Sequence, residues 1–338
     1  MKKKLENRKN NKSIIVSTLI FVITFIAMAG YLIYFNLTQA ESIINNSYNK
    51  RQGVLSRRTI RGSILSDDKT KLAVTNVDDD GNETRYYPYS GLFSHTIGYL
   101  NNGGYGLESL YGYYMLHSNQ NFFEQIGNDL SGNRNTGDNV VTTLNVGLQK
   151  ACYDALGSNR GAVIVMEPST GKILAMVSKP DFDPNTLAAN WSQITGEGSD
   201  SVLVNRATQG LYPPGSTFKL ITMLEYLREH KNDYGQYHYI CDGTYELGNN
   251  TINCVRTTAH GDVDLFSSLA VSCNCSFINI GLSLDLDRYK KTAEKMLFNK
   301  ELPTNLEYNK SRFVLNGESS EWDIAQTSFG QGKTVITP

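Results

Sequence analysis

With 338 residues and a formal net charge of −1, the chain is long enough for a large core, and its charge balance argues against a polyanion-binding role. That charge is unevenly placed. Lys2, Lys3, Lys4, Arg8, Lys9 and Lys12 precede an uncharged apolar run from Ile14 to Phe35, long enough to cross a bilayer core, which takes about 20 helical residues. Basic residues before the run and none close after it predict a cytoplasmic tail over residues 1–13, a transmembrane helix over 14–35 and an extracytoplasmic remainder. Thr38-Gln39-Ala40 loosely matches a signal-peptide cleavage site, but the run exceeds the ~7–15 apolar residues of a signal-peptide core, which favours a retained anchor at the cell membrane.

Residues 36–55 read as a polar, helix-capable stem. Ser63-Ile64-Leu65 and Leu72-Ala73-Val74 flank Asp67-Asp68 and predict two strands around a tight turn. From 76 to 138 the chain is rich in Asn, Gly and Tyr, with helical periodicity only around Leu107 to Leu116. Together 36–145 form a small, β-rich accessory domain. The composition then shifts. Val140 to Leu144 predicts a strand and Val146 to Leu156 an amphipathic helix. Gly161 to Met166 and Lys172 to Val177, joined by Glu167-Pro168-Ser169-Thr170-Gly171, predict a hairpin. Both runs are almost continuously apolar, which predicts a sheet covered on both faces by helices and an α/β sandwich beginning near Gly161. Tyr289 to Phe298 is helical in pattern, and Leu302 to Glu321 is irregular.

The chemistry concentrates around Pro213-Pro214-Gly215-Ser216-Thr217-Phe218-Lys219, which is followed by the helix-forming run Leu220 to Leu227. Pro-Pro-Gly imposes a turn and places Ser216 at a helix start, where free N–H groups and the positive dipole end favour negative charge. Lys219 lies three residues on, on the same helix face. A serine hydroxyl needs a neighbouring base, and a lysine serves as one when desolvation lowers its pKa. An isolated Ser-x-x-Lys is more often a helix N-cap; the turn before it and the apolar helix behind it reverse that reading. Ser272-Cys273-Asn274 follows another apolar helix-like stretch, Leu265 to Val271, and supplies a second hydroxyl and an amide. Ser272 is suited to relay a proton to the leaving group, and Asn274 to hold Lys219 and the substrate amide.

In these motifs the chain resembles the class B penicillin-binding proteins, the monofunctional peptidoglycan D,D-transpeptidases. The likeness extends through Arg61-Gly62-Ser63-Ile64 with Leu72-Ala73, Gly106-Leu107-Glu108 with Tyr111 and Leu116, Thr170 to Met176, Phe182-Asp183-Pro184-Asn185, Asn205-Arg206-Ala207, His260-Gly261, and Gly330-Gln331-Gly332 with Thr337-Pro338. It implies a serine acyltransferase sandwich of the penicillin-binding and β-lactamase type over 146–338, preceded by a pedestal, dimerisation-like domain. It also implies Ser216, Lys219 and Ser272 as catalytic residues, Asn274 as substrate-binding, and the Ser216 backbone N–H as one oxyanion-hole donor. Expected partners are peptidoglycan stem peptides, β-lactams, the cytoplasmic membrane and a glycosyltransferase of the division or elongation machinery, with no nucleic acid and no cofactor. The family also places a Lys-Thr-Gly or Lys-Ser-Gly on an inner edge strand that supplies the second oxyanion donor. Gly332-Lys333-Thr334 is followed by Val335 and is not that motif, so the resemblance implies a C-terminally truncated chain, inactive alone. The same chemistry also serves β-lactamases and D,D-carboxypeptidases, and the same fold serves non-catalytic cell-wall scaffolds or sensors.

Other features read as structural. Cys152, Cys241, Cys254, Cys273 and Cys275 contain no Cys-x-x-Cys, and the five histidines are scattered, so no metal site is expected. Cys241 and Cys254 flank a Gly248-Asn249-Asn250 turn, and a disulfide between them stays open. His260 reads as a structural hydrogen-bonder because no Cys or His at ligand spacing accompanies it. Tyr86, Tyr87, Tyr89, Tyr111, Tyr113 and Tyr114 read as packing before glycan stacking, and Asp78-Asp79-Asp80 with Glu83 as an acidic turn before a calcium loop.

Overall fold

The computed structural model describes residues 2–39, 55–196 and 198–338, so most of the predicted stem lies outside the described residues. Two compact units emerge: Met1–Pro88 with Ile97–Thr142, and Tyr89–Thr96 with Thr143–Pro338.

The first unit begins with α1 (Lys2–Thr38). Within it Ile14–Thr38 has a mean hydropathy of 2.3 and is not buried by any of the described residues. Thr18 and Thr24 turn their hydroxyls back onto the carbonyls of Ile14 and Ile20, at 2.9 and 2.8 Å. Those polar groups are thereby satisfied within the helix, as a lipid environment demands.

Beyond residue 55 come β1 (Thr59–Ile60), β2 (Ile64–Leu65), β3 (Lys71–Val77) and β4 (Glu83–Tyr86). They are followed by α2 (Gly106–Leu110), α3 (Gly112–Leu116), α4 (Phe122–Ser131), β5 (Asn135–Thr136) and β6 (Val140–Val141). The main sheet has the order β4-β3-β2-β6, with β2 and β3 antiparallel around the predicted Asp67-Asp68 turn and β6 parallel to β2. Asp78 accepts from the backbone N–H of Asp80 and Asn82 and closes the acidic turn between β3 and β4. Of the tyrosines, Tyr87 is buried in the core, while Tyr86 and Tyr114 stay exposed. Besides the short strands β1 and β5, the sequence reading missed two longer elements here. One is β4, and the other is α4, whose Gly127 and Asn128 mask a helical pattern. This unit is therefore less purely β than expected.

Its core holds a carboxylate. Glu108 is fully buried and accepts from Arg61 Nε at 2.9 Å and Arg85 Nε at 2.6 Å. Arg85 also donates to the Gly62 carbonyl and the Thr75 hydroxyl, which ties β3 to the chain entering β2.

The second unit contains α5 (Val146–Leu156), β7 (Gly161–Met166), β8 (Ile173–Lys179), α6 (Lys219–Glu229), β9 (His238–Cys241), β10 (Thr244–Leu247) and β11 (Asn250–Asn253). It continues with β12 (Gly261–Asp264), α7 (Leu265–Ala270), α8 (Asn274–Ser283), α9 (Leu286–Lys295) and α10 (Glu321–Ser328). The β7–β8 hairpin forms as predicted, in register Gly161↔Lys179. The buried amide of Gln149 on α5 bonds both backbone groups of Met176 on β8, at 2.8 Å each. Coverage is uneven: Ala175 to Ser178 on β8 are buried, whereas β7 is partly buried from Gly161 to Val165 and exposed at Met166. Among the described residues β7 pairs only with β8.

The main core is helical. Phe218, Met223, Tyr226, Leu265, Phe277, Ile280, Tyr289, Phe298 and Phe313 form one buried cluster. Apolar α8 packs against both α6 and α10, and Gly281 permits the second approach: a Cβ there would lie 1.7 Å from Ser328 Oγ. Gly281→Ala is expected to destabilise the protein by about 1–3 kcal/mol through overpacking, measurable as a lower midpoint of urea unfolding.

Candidate active site

Ser216 lies in a 3-10 turn over Gly215–Phe218, and α6 begins only at Lys219. The serine therefore precedes the α-helix, one short turn further out than its expected place at the helix start. Gly215 has φ +61° and donates from its N–H to the Gly330 carbonyl at 2.8 Å. Gly330 has φ +78°, and a Cβ on it would sit 2.0 Å from the Gly215 carbonyl oxygen. Only glycine fits that crossing. Phe218 is 1% exposed and meets Phe298 edge-on at 5.5 Å, which anchors the turn in the core. Residues 216 and 219 thus have opposite surroundings: Ser216 is exposed and Lys219 is fully buried.

The second half of the site comes from the junction of α7 and α8. The N–H groups of Val271, Ser272 and Cys273 cap the end of α7 through the carbonyls of Ser267, Leu269 and Ser268. Ser272 itself takes φ +54°, a left-handed conformation that costs a non-glycine residue roughly 1–3 kcal/mol. Cys273 then caps α8 by accepting the Ser276 N–H on its Sγ at 3.3 Å.

These elements meet through hydrogen bonds. Lys219 Nζ donates to Ser272 Oγ at 2.9 Å, to the Ser272 carbonyl at 2.7 Å and to Asn274 Oδ1 at 2.8 Å. The Ser272 hydroxyl in turn reaches Ser216 Oγ at 3.0 Å. Asn274 turns its NH2 to the Asn253 carbonyl at 2.9 Å. The four residues singled out from the sequence converge, and the order of contact is Lys219, Ser272, Ser216. Burial draws the Lys219 ammonium down to about 8, opposed by the charges of Cys273, Cys254 and Cys275. An amine with that value is neutral in a minor fraction of molecules near physiological pH, and that fraction can accept a proton.

The penicillin-binding protein transpeptidase domain profile matches residues 161–338, more than half of the chain. The chain belongs to the penicillin-binding protein transpeptidase family. Residues 61–140 match the penicillin-binding protein A dimerisation domain. The peptidoglycan D,D-transpeptidase PbpA of Mycolicibacterium smegmatis is 34% identical over 232 residues, covering 63% of this chain and 46% of PbpA. MrdA of Acinetobacter baumannii, also a peptidoglycan D,D-transpeptidase, is 28% identical over 301 residues, covering 75% of this chain and 44% of MrdA. The chain spans about half the length of these curated relatives. Penicillin-binding protein A of Mycobacterium tuberculosis, solved as an imipenem acyl-enzyme complex, superposes with a TM-score of 0.73 at 28% identity, over 83% of this chain and 68% of that one. The D,D-transpeptidase domain of a peptidoglycan glycosyltransferase from Eggerthella lenta gives 0.69 at 32% identity, over 81% and 62%. This penicillin-binding protein therefore has the transpeptidase fold, preceded by a dimerisation domain and an N-terminal apolar helix.

One expectation from the sequence is corrected beside this site. The thiols and imidazole that look scattered along the chain are not scattered in space. Ligand atoms of Cys241, Cys254, His260 and Cys273 all lie within 4.8 Å of one another. Spacing rules miss the group because its members come from β9, the loop between β11 and β12, and the cap of α8. His260 Nδ1 has a thiol partner after all, Cys241 Sγ at 3.5 Å. The Cys241 and Cys254 Sγ atoms are 3.8 Å apart and both thiols are free, so the disulfide left open above is not formed.

Proposed function

We propose that this chain carries the acylating half-site of a peptidoglycan D,D-transpeptidase, with Ser216 as nucleophile, Lys219 as general base, Ser272 as proton relay and Asn274 as a substrate-amide ligand. The observation that supports this best is the hydrogen-bonded series from buried Lys219 through Ser272 to exposed Ser216. As the Ser216 Oγ attacks the carbonyl carbon of the penultimate D-alanine, its proton passes to Ser272 Oγ, and the Ser272 proton passes to neutral Lys219. The Ser216 N–H is one donor to the oxyanion. Collapse of the tetrahedral intermediate breaks the peptide C–N bond, and the proton returns through Ser272 to the departing D-alanine amine. An acceptor amine from a neighbouring strand then attacks the ester, loses its proton along the same path, and regenerates the Ser216 hydroxyl. A β-lactam enters the same first step and leaves a penicilloyl ester on Ser216, as the acyl-enzyme structures of the mycobacterial relative illustrate for that protein.

In this reading α1 anchors the protein with residues 1–13 in the cytoplasm and the catalytic unit outside. Residues 36–145 form the pedestal, and 146–338 belong to the transpeptidase domain. A membrane glycosyltransferase supplying nascent strands is the proposed partner.

Full-length protein in its membrane, exposed to benzylpenicillin and digested, is expected to carry one penicilloyl group on the peptide containing Ser216. Ser216→Ala is expected to carry none, with an unchanged melting temperature. Labelling that persists in Ser216→Ala would remove the assignment. A chromogenic cephalosporin separates the chemistries: a stoichiometric burst supports a transpeptidase, and continuous turnover supports a β-lactamase.

A further inference from the structure

Helix α4 (Phe122–Ser131) is amphipathic in the reverse sense. Its polar side chains hold it to the unit: Gln125 Nε2 donates to the carbonyls of Ser118 and Gln120, at 3.0 and 2.9 Å, and Asn128 Nδ2 donates to Asn135 Oδ1 at 2.9 Å. The opposite side is apolar. At about 100° per residue, Phe123, Ile126 and Leu130 fall within about 60° of one another. They are 78, 40 and 84% exposed. An ordinary surface helix buries such a stripe and turns its polar residues out. Single exposed apolar residues are common, whereas three aligned along one helix mark an interaction surface.

The place of α4 in the chain identifies what the stripe meets. The first strand after α1 is β1, and its partner β5 begins at Asn135, just beyond the end of α4 at Ser131. Arg134, between them, donates to the carbonyls of Ser56 and Thr59, and the Asn135 N–H donates to the Arg58 carbonyl at 3.2 Å. The helix is thus pinned to the segment by which the chain arrives from α1. Only residues 40–54 intervene, a reach of at most about 60 Å. The arriving segment also carries charge: Arg57 and Arg58 are exposed and form no ion pair among the described residues.

We propose that the Phe123, Ile126 and Leu130 stripe of α4 lies in the headgroup region of an anionic lipid surface, on the side of the bilayer where α1 ends. The inference rests on the reading of α1 as a membrane span. Glu124 and Ser131 fall along one edge of the stripe, where a helix lying in the interface plane keeps them in water, and Arg57 and Arg58 meet the lipid phosphates. A second copy of the chain fits the stripe less well. A two-fold contact there brings the arginines of both copies together, and three apolar side chains fall far short of the roughly 20–30 residues a side of a stable interface. The span limits how far this unit stands from the bilayer, and the α4 contact sets which way it faces.

Photocrosslinking tests the contact without reference to catalysis. Full-length chain with a diazirine-bearing amino acid at position 130 is reconstituted in nanodiscs of phosphatidylcholine and phosphatidylglycerol and irradiated. Mass spectrometry of the α4 peptide is expected to show a lipid adduct. An adduct that joins two chains, or one with solvent alone, overturns the proposal. Adding Phe123→Asp and Ile126→Asp to the probe-bearing chain is expected to lower the lipid adduct about tenfold or more, with an unchanged melting temperature. Because a double variant can lose the helix, lipid composition gives a second reading on the otherwise native sequence. Nanodiscs of phosphatidylcholine alone are expected to give at least about fivefold less adduct, and equal yields overturn the anionic preference. Alkaline carbonate separates the two readings. A chain that it extracts from membranes overturns the α1 span and this inference with it, whereas a chain that resists extraction yet gives only the solvent adduct overturns the α4 contact alone.

Discussion

Lys219→Met is expected to slow penicillin acylation of Ser216 by roughly 10²–10⁴-fold, the usual range for loss of a general base. Methionine keeps most of the buried volume but cannot accept the proton delivered by Ser272. The substitution also strips a donor from the Ser272 carbonyl and Asn274 Oδ1, so a thermal melt belongs beside the rate measurement. Wild-type protein should show the matching pH dependence. Burial lowers Lys219 to about 8, and in the proposed mechanism the active form is the neutral amine, so acylation should rise with pH through about 8 and level off above it. Lys219→Arg stays charged across that range and should acylate poorly at every pH, since a guanidinium does not give up its proton in a protein. Stopped-flow acylation with a fluorescent penicillin reads all three. A flat wild-type profile, or methionine variant rates within tenfold of wild type, would count against Lys219 as the base.

Glu108→Ala should produce the largest loss of stability, about 3–5 kcal/mol, because it removes the anion from a buried ionic cluster. Its carboxylate accepts from two guanidiniums whose side chains are 5% and 6% exposed. Burial pulls Arg61 below its ordinary pKa, and the charge of Glu108 works against that shift. Without the carboxylate, two cations remain in a low-dielectric interior with carbonyl, hydroxyl and thioether partners and no anion among those bonds. Glu108→Gln preserves the shape and isolates the charge; it should recover only part of the loss. Hydrogen exchange at β2, β3 and β4 locates the effect in this unit, and a change below about 1 kcal/mol would show that the cluster is not needed for the fold.

Local pattern was enough for several elements. The apolar run of α1, the helix at Val146 to Leu156, the β7–β8 hairpin and the one-turn spacing of Ser216 and Lys219 all follow from backbone periodicity and turn chemistry, which act over a few residues. Where local signals conflicted, the reading failed. Gly127 obscured α4, and the apolar run of β7 is only partly buried.

The sequence by itself determined that a serine and a lysine share one turn behind a Pro-Pro-Gly bend, and that a Ser-x-Asn follows an apolar helix. Tertiary packing decided the rest: that Ser272 stands between Lys219 and Ser216, that the lysine is buried while the serine is open, and that three thiols meet His260. Helical periodicity carries information over about one turn, whereas these contacts join atoms 19 to 56 positions apart. Only the burial of α8 against α6 and α10, with glycines where backbones cross, brings such distant residues within a bond's reach.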